Sequence, residues 1–503
     1  MTGAARHARA GRPPGAKGSP GATQALGWSL ASTAFSRLGT VGIGIVLARV
    51  LGPEAFGTYA VAFVALMAIL SLNELGVSLA IVRWPGDPKL IAPTVTTISV
   101  AGSVALCVAG WFAAPLYTAA LGDPGATEVV RLLLLTVLID GAVSTPAALL
   151  QRTFRQDKRA IADQANVWVG AVVSVVLAIV GLGPMSLAFG RLAGSVVAAV
   201  LFLAFSPLPY RFGLDRGQAR ALLAFGLPLA GASIVVFAVG YADQLIVGGM
   251  LGSTALGFYV LACNLAAWPT SLFSTPLRGV APAAFARVQH DPAGRTDALL
   301  SVLGVLAAVT VPVCFLLAGA APAIVSFVYG EQWLPAAAAL AWLGLLSIFR
   351  ILFELVYDYI VVLGFSRTIL GVNVWWLAAL IPAVIAGAAV GGIAGAALAQ
   401  VVVAAVVVLP IYLWRLHKAG VDARAVLRRT ALPLVGGLVA GAGAFALSRV
   451  VPVPLVGLLA SGFLTLGVIA LLLLRDRRAL GRLREFGRAR EAQPVGAPEV
   501  AAA

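Results

Sequence analysis

The sequence predicts an all-α, polytopic membrane protein with about fourteen transmembrane helices, arranged as two pseudo-symmetric six-helix lobes plus two C-terminal helices. Hydrophobic residues make up 60% and charged residues 11% of the 503 positions, against about 45–50% and about 25% in soluble domains. Apolar runs recur along the chain, and each has roughly the 20 residues needed to cross about 30 Å of hydrocarbon. A short connector also occurs twice, 200 residues apart.

The apolar runs are continuous rather than alternating, which favours helices over the strands of a barrel. The predicted spans cover residues 24–50, 58–82, 90–117, 129–150, 165–182, 184–207, 224–250, 256–280, 298–320, 335–363, 367–389, 391–414, 428–450 and 453–474. They divide the chain into a disordered basic tail at 1–23, an N-lobe at 24–207, a C-lobe at 208–420, the last two spans within 421–474 and a basic tail at 475–503.

Charge sets the expected orientation, because basic residues resist translocation across the membrane. If the N-terminal tail is cytosolic, the inner connections carry most Lys and Arg, whereas the outer connections carry Glu54, Asp123 and Glu331. Both termini are therefore predicted to be cytosolic, in a multi-pass protein of the cytoplasmic (inner) membrane. The net charge of +15 then faces anionic membrane lipids, so nucleic acid is not an expected partner.

The repeated connector reads LGPEAFGTYA from Leu51 and LGSTALGFYV from Leu251. Six of the twelve columns in 51–62 and 251–262 are identical. An even number of spans lies between the two copies, so the copies share one orientation and form parallel repeats. Two such lobes are expected to enclose a central cavity.

At these residues the sequence resembles a known family. The stretches RVLGPEAFGTYAVAFVALMAILSLNELGVSLAIVR from Arg49, YADQLIVGGMLGSTALGFYVLACNLA from Tyr241, APAAFARVQHDP from Ala281 and YGEQWLPAAAAL from Tyr329 carry the resemblance. They are similar to the polysaccharide transporter (Wzx-type oligosaccharide flippase) family of the multidrug/oligosaccharidyl-lipid/polysaccharide exporter superfamily. The likeness covers roughly residues 24–420.

This resemblance implies a transporter that moves undecaprenyl-diphosphate-linked oligosaccharide, such as an exopolysaccharide or cell-surface glycan repeat unit, to the outer leaflet by alternating access. It implies a lipid-linked glycan as substrate. A polysaccharide polymerase and glycosyltransferases are the candidate protein partners.

Arginines inside the spans are the candidate substrate contacts. A charged side chain at mid-membrane costs at least about 2.5–3.5 kcal/mol, so each should face a partner or a wet cavity. Arg37 and Arg350 lie near the middle of spans one and ten, and Arg191 lies in span six. A guanidinium offers a pyrophosphate a permanently charged planar fork. The alternative is that each arginine only pairs with an acid, as Arg350 could with Glu354 one turn away.

Acids in the same spans are candidates either for coupling to a Na⁺ or H⁺ gradient or for structural hydrogen bonds. These acids are Glu74, Asp140, Asp243, Glu354 and Asp358. No cofactor is expected beyond such an ion. No metal site is expected either, because Cys107, Cys263 and Cys314 each lie alone in an apolar run.

Three further patterns carry weaker signals. Segment 151–164 alternates basic and apolar residues and is predicted to form an interfacial helix on the inner leaflet. Trp375 and Trp376 favour packing or lipid contact over stacking on sugar rings. The GxxxG motifs predict close helix approaches; they occur at Gly190/Gly194, Gly248/Gly252, Gly391/Gly395 and Gly437/Gly441.

Several other functions compete with the flippase. The sequence has no GxxxxGK[ST] phosphate loop and no HExxH motif, so it lacks the parts of an ATPase or a metalloprotease and is not expected to be an enzyme. A drug or metabolite antiporter and a peptidoglycan-precursor flippase are alternatives within the same superfamily. A membrane glycan polymerase or ligase is an alternative of another class, which the short outer connections disfavour.

Overall fold

The structure of the protein is a computed structural model that describes residues 22–73, 77–83, 86–278, 292–363 and 366–477. All regular structure within these ranges is helical. The helices are α1 Ala22–Asn73, α2 Val77–Arg83, α3 Pro88–Ala120, α4 Thr127–Arg152, α5 Gln156–Ile179, α6 Pro184–Phe205, α7 Arg216–Leu251, α8 Ser253–Arg278, α9 Pro292–Gly319, α10 Ala321–Tyr329, α11 Ala336–Val362, α12 Ser366–Val403, α13 Leu409–Lys418, α14 Ala423–Val450 and α15 Pro454–Arg475. A π-helix at Ala404–Val408 joins α12 to α13, and 3-10 turns occupy Pro124–Ala126 and Glu331–Trp333.

The predicted all-α membrane fold is confirmed. Twelve helical stretches of the described residues are long and apolar enough to cross a membrane. Two of the long helices, α1 and α12, contain a break at glycine, at Gly52 and at Gly391–Gly392. Most predicted spans fall on one helix or on one side of such a break. Span 58–82 instead covers the end of α1, the undescribed residues 74–76 and α2, and span 391–414 begins at the glycine break and continues through the π-helix into α13. The number of crossings and the division into lobes stay predictions.

The repeated connector is much shorter than the sequence suggested. Within α1 only Gly52 leaves helical geometry, with φ 74° and ψ 173°, and Gly252 adopts nearly the same angles, φ 85° and ψ 174°, between α7 and α8. This left-handed region favours glycine. Pro53 restarts its helix at once, since the first helical position needs no N–H donor. In both copies of the connector, the expected outer loop is thus a single glycine.

Two other expectations need correction. The segment 151–164 is not a separate interfacial helix, because α5 begins at Gln156 and runs without interruption to Ile179. The chain turns at Phe154, whose φ of 57° ends α4. The short helix α10, between predicted spans nine and ten, was not expected.

The two connectors touch each other by backbone. A Cβ atom on Gly57 would overlap the Ser253 carbonyl oxygen, and a Cβ on Gly257 would lie 2.7 Å from the Pro53 carbonyl oxygen. These contacts are reciprocal, because positions 57 and 257, and positions 53 and 253, correspond in the repeat. Through them α1 packs on α8 while it also contacts α4, α5 and α7.

A second set of contacts closes the same end of the bundle. Arg49 on α1 donates to the carbonyls of Val328 (2.8 Å) and Phe327 (2.6 Å) at the end of α10. The indole of the fully buried Trp333 donates to the Ala48 carbonyl at 3.1 Å. We call these contacts, together with the glycine contacts of the connectors, the outer seam, after the side on which the predicted topology places it.

Small residues set other close approaches at the GxxxG motifs Gly190/Gly194 and Gly437/Gly441, whereas a Cβ on Gly252 or Gly391 would meet no atom within 4 Å. Gly190 faces the Gly170 carbonyl, so α5 and α6 pack backbone to backbone. Likewise Gly319 of α9 faces Gly441 of α14. At the opposite end of α14, Arg429 donates to the Leu300 carbonyl (3.3 Å) and pairs with Asp476 (2.9 Å). The hairpin of α14 and α15 is therefore fixed to α9 at both ends.

We expect Gly57→Ala and Gly257→Ala each to lower thermal stability in detergent, because the opposing atoms are backbone and cannot rotate away. Overpacking of this kind typically costs about 1–3 kcal/mol. The matched control is Gly249→Ala on α7, where a Cβ meets no atom within 4 Å. Unchanged melting temperatures for both connector variants would show that the contact is not close in solution.

Candidate functional site

A hydrogen-bonded polar cluster lies where four helices of the C-terminal half meet. The Tyr259 hydroxyl on α8 donates to Asp243 Oδ2 on α7 at 3.0 Å, and Gln400 Nε2 on α12 donates to the same oxygen at 2.9 Å. The Gln400 amide also donates to the Tyr259 hydroxyl. All three side chains are buried. Such donors stabilise a carboxyl group that the membrane interior would otherwise leave without partners.

Arg350 on α11 extends this cluster. Its Nη2 donates to Gln400 Oε1 at 3.3 Å, so one amide group joins the guanidinium to Asp243. Arg350 also acts electrostatically on Asp243. In the described part of the chain no ion pair joins Arg350 to Glu354, and Glu354 Oε2 is buried without a hydrogen-bond partner there. The expected pairing within the helix does not form.

A second charged cluster lies in the N-terminal half. Arg191 on α6 stacks over the Phe63 ring at 5.7 Å. It acts electrostatically on Asp140 of α4 and Tyr59 of α1, and also on Tyr241 of α7. Among the residues with described side chains, Arg191 forms no ion pair, and its buried Nε has no hydrogen-bond partner. No described acid therefore neutralises its charge by direct contact.

The two clusters occupy corresponding positions of the repeat. Tyr59 and Tyr259 stand at the same position of the two connectors. Arg191 lies eight residues after Gly183, which has φ 56° and ψ −135°. Gln400 lies eight residues after Gly392, which has φ 58° and ψ −142°. In each half, the tyrosine of the connector therefore lies near a polar residue of the last helix: Tyr59 near Arg191, and Tyr259 near Gln400.

Sequence reasoning missed Tyr259 and Gln400. Tyrosine and glutamine carry no formal charge, so a search for ionisable residues inside the spans passes over them. The repeat itself held the signal. Gln400 lies as far from Gly392 as Arg191 lies from Gly183, so the two residues occupy equivalent positions in the two halves. Asp243 and Arg350, which the sequence did single out, are joined through Gln400, and Tyr259 donates to the same Asp243 oxygen.

The remaining candidates are placed less fully. Arg37 lies on α1, but its side chain is outside the described part of the structure, and Glu74 lies outside the described residues altogether. Asp358 is buried on α11, two turns beyond Arg350. Their roles stay predictions.

Two cavities border the described helices. One of about 10 Å³ lies beside Thr96, Thr145 and Tyr210, and one of about 310 Å³ lies between α10, α14 and α15. Neither is lined by Arg191 or Arg350. The chamber expected between the lobes stays a prediction.

The tryptophan pair is divided between two environments. Trp376 packs edge to face on Phe353, with ring centroids 6.1 Å apart. Trp375 is 65% exposed. These placements agree with the preference for packing and lipid contact over sugar stacking.

We expect Tyr259→Phe to destabilise the protein, because Asp243 loses a hydroxyl donor and stays buried. An unsatisfied buried polar group costs about 1–3 kcal/mol, to be measured by unfolding in mixed micelles. The control is Tyr210→Phe, whose ring is 38% exposed. Combining Tyr259→Phe with Gln400→Leu should cost less than the sum of the single changes, since both act on one carboxyl; strict additivity would refute a shared network.

Comparison with known proteins places these clusters in context. Residues 46–338, more than half of the chain, match the family described as "Polysaccharide biosynthesis protein". The chain is 28% identical over 502 residues to the succinoglycan biosynthesis transport protein ExoT of Rhizobium meliloti (strain 1021), covering 95% of this chain and 98% of the relative. It is 24% identical over 371 residues to the lipopolysaccharide biosynthesis protein WzxC of Escherichia coli (strain K12), covering 73% and 75% of the two chains.

Solved structures show the same fold at low sequence identity. The lipid II flippase MurJ in an inward closed conformation superposes with a TM-score of 0.71 at 13% identity, over 90% of this chain and 99% of that one. An inward-facing multidrug resistance transporter of the MATE family, within the MOP superfamily, gives a TM-score of 0.61 at 16% identity, over 76% and 94%. With its transporter fold and its match over most of both predicted lobes, the chain belongs to the polysaccharide biosynthesis protein family.

Proposed function

We propose that the protein is a flippase that moves a lipid-linked oligosaccharide across the cytoplasmic membrane by alternating access. The observation that carries this proposal is the pair Arg191 and Arg350. Each lies in an apolar helix, and neither forms an ion pair among the residues with described side chains. An unpaired guanidinium within a membrane span is costly and is kept where it serves a ligand or an ion pathway.

The chemistry of the two arginines fits a diphosphate. Its two phosphates carry negative charge that a guanidinium can bind through paired N–H donors. Arg191 and Arg350 belong to opposite halves, and Tyr241 of α7 lies within electrostatic range of Arg191 only two residues from Asp243. A headgroup held between the halves could therefore contact both arginines. The relatives named for succinoglycan transport and lipopolysaccharide biosynthesis support a glycan on that diphosphate.

The outer seam supports the proposed sequence of states. Arg49, Trp333 and the two connectors hold α1 against α10 and α8. In a cycle of alternating access this arrangement corresponds to closure on the outer side, and separation of α1 from α10 corresponds to release. The likeness to inward closed and inward-facing transporters agrees with that assignment.

The described acids that are candidates for coupling flipping to a Na⁺ or H⁺ gradient are Asp140, Asp243, Glu354 and Asp358. Asp243 Oδ2 accepts bonds from Tyr259 and Gln400, whereas its buried Oδ1 has no hydrogen-bond partner among the described residues. That oxygen could take a proton or contact a cation. A structural role for the same acid is the competing hypothesis.

The alternative functions differ in one measurable respect. A drug or metabolite antiporter shares the fold, but loss of it changes compound sensitivity and leaves glycan assembly intact. Loss of a membrane polymerase or ligase would leave unpolymerised repeat units outside the cell. The outer connections that the structure describes, such as Gly52, Gly252 and residues 451–453, leave little room for a catalytic domain there.

We expect Arg191→Ala and Arg350→Ala each to reduce flipping about 10–100-fold, because each removes a charge-assisted contact of about 1.5–3 kcal/mol. The measurement is the fraction of lipid-linked repeat units that an impermeant glycosidase reaches from outside, in cells whose own copy of the gene is deleted. Repeat units should accumulate facing the cytosol.

The controls separate lost binding from lost folding. Arg131→Ala removes an arginine that belongs to neither cluster and pairs with Glu128 at 2.8 Å, and flipping should stay normal. Arg350→Lys keeps the charge but not the fork and should be intermediate. Normal flipping by the double variant Arg191→Ala/Arg350→Ala would reject the site, while normal glycan export without the protein would reject the function.

We expect Arg49→Ala to weaken the outer seam, since two hydrogen bonds from a charged group are lost. Amide hydrogen exchange over Ala321–Trp333 should rise by about tenfold or more, whereas Arg131→Ala should leave it unchanged. Equal exchange in the wild type and Arg49→Ala would show that Arg49 does not hold this end closed.

A further inference from the structure

The cavity of about 310 Å³ lies where α10 meets the hairpin of α14 and α15. Its lining includes Ser326, Leu334, Ser448, Arg449 and Gly457. Its volume falls within the roughly 300–1,000 Å³ of small-molecule sites. The lining contains no member of the Arg191 or Arg350 clusters, so the proposed transport site does not account for this cavity.

Arg449 gives the cavity a positive charge. The guanidinium stacks over the Phe445 ring at 4.9 Å, and the described residues offer it no ion pair. The lining contains no Asp or Glu. Two other arginines at the same end are already engaged, Arg49 with backbone carbonyls and Arg131 with Glu128. Arg449 thus differs from them in having its donors free for an anion.

The surroundings of the cavity suit an amphiphile. Ser326 and Ser448 add hydroxyl groups to the lining, and the α15 helix begins at Pro454 with no side-chain cap. The adjacent surface of the hairpin is apolar and exposed, at Val450 (77%), Val453 (52%) and Val456 (52%). The cavity offers a positive charge and hydroxyl groups, which suit the headgroup of a lipid. The exposed valines beside it suit the acyl chains of the same lipid.

We propose that this cavity binds the phosphate group of an anionic lipid in the outer leaflet, with Arg449 as its charged ligand and the exposed valines against the hydrocarbon chain. Two lipids share this chemistry, a phospholipid such as phosphatidylglycerol and a polyprenyl phosphate. The site does not depend on the function proposed above. It would hold a lipid even if the transported molecule were not a glycan.

The test is native mass spectrometry of the purified full chain, titrated with phosphatidylglycerol in one series and polyprenyl phosphate in another. Arg449→Ala should weaken the binding of at least one of the two lipids by fivefold or more. Gly457→Leu should do the same by filling the cavity, and a Cβ at this position meets nothing closer than 3.5 Å, which is ordinary van der Waals contact. Gly462→Leu, on the same helix with no atom within 4 Å of its Cβ, is the matched control.

Each outcome decides the proposal. Weaker binding of phosphatidylglycerol alone identifies a resident phospholipid, weaker binding of the polyprenyl phosphate alone identifies a polyprenyl site, and weaker binding of both identifies a general phosphate site. Wild-type affinity for both lipids in Arg449→Ala and Gly457→Leu overturns the proposal. An equal loss in the Gly462→Leu control also overturns it.

Discussion

The arrangement of the two halves depends on the reciprocal backbone contact between the two connectors. Gly57 packs against the backbone of Ser253, and Gly257 packs against the backbone of Pro53. The two helices α1 and α8 thus meet at these points through backbone atoms. In a lipid environment helices gain little from apolar burial, so small residues and close van der Waals contact supply most of the attraction between them. The glycine at each connector therefore determines how near the two halves come.

From that contact outward, the polar residues of the two halves are related but not identical. Arg191 and Gln400 share a register, yet the charge of the C-terminal cluster sits on Arg350 instead, one helix away. Asp243 accepts hydrogen bonds in a dry environment, while Arg191 stacks on an aromatic ring. A duplicated framework has thus acquired two chemically different interiors, which a headgroup with distinct ends could exploit.

How far the sequence predicted this arrangement can be judged from single residues. Span positions were predictable because the cost of exposing polar groups to hydrocarbon allows few alternatives. Glu354 was the expected partner of Arg350 by helical spacing, but Gln400 from α12 supplies the acceptor. Spacing along one helix carries no information on what a neighbouring helix presents. The helix α10 was not predicted, because its nine residues are too few to cross a membrane and the search was for spans.

The attachment of the C-terminal hairpin has a mechanical consequence. Glycine contacts and the Arg429–Leu300 hydrogen bond join α14 to α9, and the Arg429–Asp476 pair joins α14 to the end of α15. The helix α10 packs against both α11 and α15. Direct helix contacts therefore link the walls of the cavity beside Arg449 to one another. A movement that separates α1 from α10 would leave this cavity intact. A lipid bound there would stay bound throughout the transport cycle.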